Sequence, residues 1–430
     1  MFEEVPAGTL TPTINDPQGN PQDDGDLIAS IWQSVMIDLD QDGDLDIFAA
    51  CDGFDNRMWI NNTVPGGALD LEYIVASSVG MANDDFDMGV AFADYDADGD
   101  LDLFTSNITD DSIAPNFNVL YRNNLTPNPP SVSGAMHPVS SVNNLYSQDT
   151  WNWGATFADL DNDGWQDILV TNQVHNLNNK SHVFMNSSNS SNPQNPAEEG
   201  RIFVEELFSS LSVDFPSVRN SSSLIKFDYD RDGDLDVMET VEKFATDPSA
   251  ILLYENQPTG IGQIGHSLTV KPRGDEANPF ALGAKITVDV DKAVGDDLSM
   301  LHTISAGVSF MGHEPAEAHF GLGDISPADT ITITVTWLDP NDAPSVVTMT
   351  GAEIMAGSAT TAGNVVRIGW CSYADFAQPF GQIDFFDVSE FLVRFNAQDP
   401  AADLRPGWGE FDFFDISEFL RLQSLGCNLN

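Results

Sequence analysis

The chain has 430 residues, 16 Lys+Arg against 67 Asp+Glu, and a formal net charge of −51 at pH 7. A field of that sign repels nucleic acid and anionic membrane, both of which are bound through basic patches. Hydrophobic residues at 41% and aromatics at 10% exclude a disordered acidic tail, no apolar run is long enough to span a bilayer, and the length implies two or three domains.

Taken in order, the chain begins Met1-Phe-Glu-Glu-Val-Pro, with neither the basic region nor the apolar core of a signal peptide. Phe2-Glu-Glu-Val already belongs to a repeat, so the sequence is expected to be a fragment or to have a misplaced start. Four acidic stretches follow, opening at Asp38 (DLDQDGDLDIF), Asp94 (DYDADGDLDLF), Asp159 (DLDNDGWQDIL) and Asp228 (DYDRDGDLDVM). Each places carboxylates at positions 1, 3, 5 and 9 and glycine at 6. The candidate ligands are Asp38, Asp40, Asp42 and Asp46; Asp94, Asp96, Asp98 and Asp102; Asp159, Asp161, Asp163 and Asp167; and Asp228, Asp230, Asp232 and Asp236. Alternate side chains of a tightly coiled loop converge on one point, and hard oxygens in that number suit Ca²⁺. Position 7 is Trp165 in the third copy and Asp in the others, so it is expected to offer its backbone carbonyl. An EF-hand would close with an acid at position 12 and enter a helix. Here position 12 is Ala49, Thr105, Val170 and once Glu239, and a short β-prone run follows the loop.

Aligning on these loops exposes a unit of about 55 to 70 residues, the range of propeller blades. Units open with strands such as Phe2-Glu-Glu-Val, Leu71-Glu-Tyr-Ile-Val and Phe203-Val-Glu-Glu-Leu-Phe. They close with an apolar-aromatic-x-Asn pattern: Met58 to Asn61, Leu120 to Asn123, Val183 to Asn186, and the longer Leu252 to Asn256. The reading is three or four strands per unit with no helix between them, and surface loops over 125–138 and 186–199. The loops resemble the FG-GAP (VCBS-type) repeats of integrin α-chain propellers and of the cartilage acidic protein family, over about residues 1–260. That resemblance implies a β-propeller. Four units fall short of the usual seven blades, so the ring is either small or incomplete.

From Gly265 longer alternating β runs are predicted at 266–271, 284–290, 301–305 and 331–337. Leu282-Gly-Ala-Lys-Ile-Thr-Val288, Ser305-Ala-Gly-Val-Ser-Phe310 and His319-Phe-Gly-Leu-Gly323 resemble the ASPIC/UnbV domain, which implies an extracellular β-rich module over 261–368. Val335-Thr-Trp337-Leu-Asp-Pro340 carries two residues more than that family's Val-x-Trp-Pro. His313-Glu314 through His319 has the wrong spacing, and a proline, for a helical zinc site. Arg273-Gly274-Asp275 reads as a loop turn.

Residues 371–430 hold a second repeat of about 28 residues, Asp375 to Leu392 matching Asp403 to Leu420. Val388, Phe391, Leu392 and Phe395 fall on one predicted helical face. The pair resembles a dockerin ending in Gly426-Cys427, with Asp375, Asp384, Asp387, Asp403, Asp412 and Asp415 as candidate ligands. Cys371 and Cys427 bracket it, and a disulfide between them would staple a small domain and require an oxidising compartment. Cys51 reads as a small buried residue.

The expected fold is mainly β: a propeller of FG-GAP/VCBS-type blades, an ASPIC/UnbV-like domain and a small α-helical dockerin-like tail. The expected function is a secreted or cell-surface, calcium-binding, non-catalytic adhesion protein. A propeller face would take a protein or glycan ligand, and the tail a cohesin-like or cell-surface partner. A structural scaffold and an extracellular polysaccharide-acting enzyme are the alternatives. No Ser-His-Asp signature, phosphate loop or Cys-His metal spacing supports the last.

Overall fold

The structure is a computed structural model describing residues 30–53, 55–64, 67–74, 76–81, 86–108, 118–124, 136–138, 145, 151–173, 181–188, 201–206, 220–242, 249–256, 265–274, 278–305, 307–339, 342–357, 364–369, 385–397, 402, 416 and 419. The chain forms two compact units. The first comprises Met1–His266, Ser305–Pro315 and Gly321–Asp324; the second comprises Ser267–Ile304, Ala316–Phe320 and Ile325–Asn430.

The first unit is a succession of antiparallel sheets. β1 (Ser30–Ile37), β2 (Asp46–Asp52), β3 (Arg57–Asn61) and β4 (Leu71–Ile74) pair in that order. A four-residue helix α1 (Ala76–Val79) follows, where the sequence pattern suggests no helix. The second sheet runs β5 (Asp87–Ala93), β6 (Asp102–Asn107), β7 (Val119–Asn123) and β8 (Met136–Pro138), so the end of the expected surface loop 125–138 is a strand. The third contains β9 (Trp151–Ala158), β10 (Asp167–Gln173), β11 (His182–Ser188) and β12 (Arg201–Glu206). The fourth shows three strands among the described residues, β13 (Asn220–Phe227), β14 (Asp236–Glu242) and β15 (Ala250–Tyr254). Phe2–Val5 lies outside the described residues.

Every acidic loop joins the first strand of its sheet to the second in one register. Ile37 faces Asp46, Ala93 faces Asp102, Ala158 faces Asp167 and Phe227 faces Asp236. Position 9 is therefore the first residue of the second strand each time. Alternation along β10 explains how the sheets stack. Ile168 and Val170 lie in one cluster with Ala91, Phe104, Leu120 and Phe157, while Leu169 joins another with Leu224, Leu235 and Val237. Opposite faces of a strand point to opposite sides, so the third sheet is covered by the second on one side and the fourth on the other. Each such fully buried Leu, Ile or Phe contributes about 1.5–3 kcal/mol. First strands of consecutive sheets adjoin, β1 against β5, β5 against β9 and β9 against β13.

The segment Ser305–Pro315 runs along these first strands. Ser309 donates its N–H to the Val90 carbonyl at 3.3 Å, and its Oγ accepts the Leu224 N–H at 3.1 Å. Glu314 takes a hydrogen bond from Thr156 Oγ1 at 2.5 Å and lies 3.7 Å from Lys226 Nζ. Phe310 packs on Trp153 and Trp32 with ring centroids at 4.9 and 6.0 Å. Gly154 is a close-approach glycine here, since a Cβ would come within 2.6 Å of Ser309 Oγ.

The chain continues through β16 (His266–Arg273), β17 (Lys285–Asp291), β18 (Leu298–Thr303), β19 (Ala318–Gly323), β20 (Thr330–Thr336) and β21 (Ser345–Thr350), which belong to the second unit except for His266 and Gly321–Gly323. Helix α2 (Gly351–Gly357), β22 (Val365–Gly369) and helix α3 (Phe385–Asn396) follow among the described residues. One sheet is ordered β18-β17-β20-β21, the other β19-β16-β22, with β16 and β22 parallel. The alternation read in the sequence is seen directly: Ile286, Val288 and Val290 of β17 and Ile331, Ile333 and Val335 of β20 are all fully buried. The helical face of α3 is narrower than its periodicity predicts. Phe391 is buried with Phe419 and Ala402, Val388 and Phe395 are partly buried, and Leu392 is 49% exposed. Cys371 and Cys427 lie outside the described residues, as do Asp375, Asp384, Asp403, Asp412 and Asp415; the backbone of Asp387 is in α3. Among the described residues no helix is long and apolar enough to cross a membrane.

Candidate metal centres

Each acidic loop coils because two of its residues take left-handed backbone. Glycine at position 6 does so in all four, with φ of 99°, 92°, 94° and 100° at Gly43, Gly99, Gly164 and Gly233. Position 4 does so as well, at Gln41, Ala97, Asn162 and Arg231, with φ of 62°, 57°, 56° and 67°. That conformation costs a non-glycine residue about 1–2 kcal/mol, least for Asn. The loops are therefore held by what their carboxylates bind.

The carboxylates divide the work. Position 1 cups the far side of the turn: Asp94 accepts the N–H groups of Asp98 and Gly99 at 3.1 Å each, and Asp159 those of Asp163 and Gly164 at 3.0 and 2.8 Å. Asp228 likewise accepts from Arg231 and Gly233 at 2.6 and 3.1 Å. Position 5 accepts the N–H of position 7, as Asp42 does from Asp44 at 3.1 Å and Asp163 from Trp165 at 2.9 Å, an Asx-type turn. Position 9 is a bracket. Asp46, Asp102, Asp167 and Asp236 each accept the position-2 N–H on one oxygen at 2.8, 3.1, 2.9 and 3.0 Å. On the other oxygen each accepts the N–H of Asn61, Asn123, Asn186 or Asn256 at 2.9, 2.8, 2.8 and 2.8 Å. These are the asparagines that end the apolar-aromatic-x-Asn pattern. Their amides do further work across sheets: Asn123, Asn186 and Asn256 donate to the carbonyls of Leu39, Tyr95 and Leu160, position 2 of the preceding loop, at 2.8, 2.9 and 2.8 Å.

Carboxylate oxygens of Asp38, Asp40 and Asp42, of Asp94, Asp96 and Asp102, of Asp159, Asp161 and Asp167, and of Asp228, Asp230 and Asp236 lie within 4.8 Å of one another in each group. Three of the four predicted positions thus converge at every loop; Asp46, Asp98, Asp163 and Asp232 stand outside these tight groups. Such clusters could hold a metal ion. The donor set is hard oxygen throughout, and Oδ1 of Asp44 and of Asp100, at position 7, is buried without a hydrogen-bond partner. Beside the second loop lies Arg122, whose Nε and Nη2 are 2.9 and 3.1 Å from Asp96 and Asp98.

Burial, reinforced by neighbouring carboxylates, raises some of the acids in each of the four loops. Asp46 is pushed up to about 8, Asp94, Asp234 and Asp236 to about 7 and Asp44 to about 6, in each case chiefly by desolvation. Asp102, Asp159 and Asp167 are raised well above the carboxylate range for the same reason. A carboxyl whose folded pKa is raised stabilises the fold below its unfolded value and loses that contribution as pH climbs through the folded one. A chelated sample should therefore lose thermal stability between about pH 4 and pH 8, and cation uptake should release protons and tighten over the same interval. Calorimetry in two buffers of different ionisation enthalpy counts those protons. No proton release at pH 7 would show that the clusters are not the sites of uptake.

Gly43 has open space where a Cβ would sit, so Gly43→Val is opposed by its φ of 99° rather than by a clash. The expected cost is about 1–3 kcal/mol, with weakened cation uptake at the first loop alone. Unchanged melting and stoichiometry would contradict the loop geometry.

The other sequence candidates do not assemble. Glu314 is engaged with Thr156 and Lys226, and Glu317 pairs with Lys271. Among the described residues they form no metal cluster with His313 and His319. Arg273 ends β16, and Asp275 lies outside the described residues. Cys51 is buried and free, with burial raising its thiol to about 11.

The profile of the FG-GAP-like repeat matches residues 38–105, and that of the ASPIC and UnbV domain matches residues 274–352. The chain therefore contains both. No curated protein matches it. A solved structure described as the calcium structure of a Trichoderma reesei carbohydrate-active enzyme of family AA12 is similar at 11% identity with a TM-score of 0.29. That likeness spans 56% of this chain and 57% of the other, and at that level neither fold nor activity transfers.

Proposed function

We propose that an FG-GAP-like array joined to an ASPIC and UnbV domain makes this chain a secreted or cell-surface, calcium-stabilised, non-catalytic binding protein. The observation that carries this reading is the convergence of three carboxylates at the same register position of four successive sheets. A catalytic carboxylate pair has no reason to recur in that way, whereas a structural cation does. Ca²⁺ fits the donor set best: oxygen only, several ligands, and a loop flexible enough to add backbone carbonyls. Asp38, Asp94, Asp159 and Asp228 would hold it with the position-3 acids, joined by Asp42 in the first loop and by Asp102, Asp167 and Asp236 in the others. Bound calcium neutralises the clustered charge and fixes each turn between its strands.

We further infer that the four sheets are blades of a β-propeller. Adjoining first strands and asparagine bonds from sheet to sheet support that arrangement. Its exposed loops would take a protein or glycan ligand, and the tail a cohesin-like or cell-surface partner. Equilibrium dialysis with ⁴⁵Ca²⁺ on the whole chain is the test. About four ions per chain are expected; fewer than one would end the reading.

A further inference from the structure

The third and fourth loops are tied together by side-chain amides in both directions. Asn162, at position 4 of the third loop, is fully buried. Its amide donates to the Gly233 carbonyl at 3.1 Å and to Asp234 Oδ1 at 2.9 Å, positions 6 and 7 of the fourth loop. The return connection runs through the bracket of the fourth loop. Asp236 accepts the Asn256 N–H, and the Asn256 amide holds the Leu160 carbonyl at position 2 of the third.

The backbone that carries Asn162 is itself clamped. Gly323 donates its N–H to the Asn162 carbonyl at 2.8 Å, and Gly265 donates to the Asp161 carbonyl at 2.9 Å. Gly321 lies so close that a Cβ would overlap Asp159 Oδ2 and Asn162. Asn162 therefore has one position available when the third loop is closed. In that position it orients the peptide whose following residue, Asp234, stands where the fourth loop is expected to offer a carbonyl ligand.

We propose that the third and fourth loops take up their cations as a coupled pair, with Asn162 as the residue that carries the coupling. The proposal rests on the calcium reading above. An ion that closes the third loop fixes the left-handed turn at Asn162, and the amide then holds residues 233 and 234 in the liganding geometry. By thermodynamic reciprocity an ion in the fourth loop favours the third by the same factor. Asn162 is a positioning residue in this account, since it donates to the loop and does not touch the ion.

Trp165, at position 7 of the third loop, supplies a local readout. Terbium, a calcium-sized ion whose luminescence is sensitised by an adjacent indole, is titrated into the whole chain under tryptophan-selective excitation; the signal lost in Trp165→Phe belongs to the third loop. Asp230→Asn, which weakens only the fourth loop directly, should raise the third-loop midpoint about tenfold. In an Asn162→Gly background, where glycine keeps the left-handed turn and removes the amide, the same change should move it less than about twofold. Should Asn162→Gly fold poorly, Asn162→Asp keeps the size and backbone tolerance while replacing the donor by an acceptor, and the coupling should again vanish. A third-loop midpoint indifferent to Asp230→Asn, or a coupling that survives both Asn162 variants, would overturn the proposal while leaving the calcium reading standing. If the unmodified chain takes up neither terbium nor calcium, the calcium reading fails and the coupling with it.

Discussion

Stripping calcium with a chelator at pH 7.5 should lower the unfolding temperature of the first unit by about 20 °C or more. At free calcium 100-fold above its dissociation constant one site adds about 2.7 kcal/mol to folded-state stability, so four alike add about 11 kcal/mol. A domain of this size class shifts by roughly 2–4 °C per kcal/mol. Two features of the loops push the effect toward the upper end. Gln41, Ala97 and Arg231 hold left-handed backbone at a cost, and each cluster brings three like-charged carboxylates within 4.8 Å of one another. Differential scanning calorimetry with and without chelator decides the matter. A difference of less than about 3 °C would mean that the loops hold their shape by hydrogen bonds alone.

The second large effect concerns position 9. With calcium present, Asp167→Ala should cost roughly 4 kcal/mol, and Asp163→Ala, four residues away in the same loop, about 1 kcal/mol or less. Asp167 is 1% exposed and bridges the Leu160 and Asn186 N–H groups. Removing it strands two buried donors at about 1–3 kcal/mol each and takes away a cation ligand. Asp163 is exposed and accepts the Trp165 N–H, a donor that water can satisfy. Chemical denaturation of the two variants separates them. Equal losses would show that position 9 acts through the ion alone and not as a bracket between strands.

Much of this site is legible in the residues, and what is not has identifiable causes. The 1, 3, 5, 9 acids and the glycine at 6 are fixed by side-chain chemistry and by φ, so spacing alone reveals them. Position 4 is invisible because Gln41, Ala97, Asn162 and Arg231 share only a backbone conformation. The terminal asparagines stand out as a pattern, but their role does not. It depends on a carbonyl 84 to 96 residues earlier in the chain, brought close only when sheets stack. Strand alternation in β17 and β20 is plain because one face is buried. Leu392 misleads because periodicity states which residues share a helical face, not how much of that face is covered. Ser305–Phe310 reads as part of the later β domain, and nothing in its composition says that it lies along the first strands of the acidic array.

That last placement sets an order of events during synthesis. The first unit is discontinuous: His266 ends its main stretch, and Pro315 ends a segment whose Ser309 and Glu314 are bonded to, and whose Phe310 packs on, the first strands of its sheets. A ribosome needs roughly 3–10 s to add the intervening stretch at about 5–20 residues per second. For that time the array waits on the nascent chain with Lys226 and Trp153 still uncovered, and vectorial folding of the repeats alone ends one step short of the finished unit.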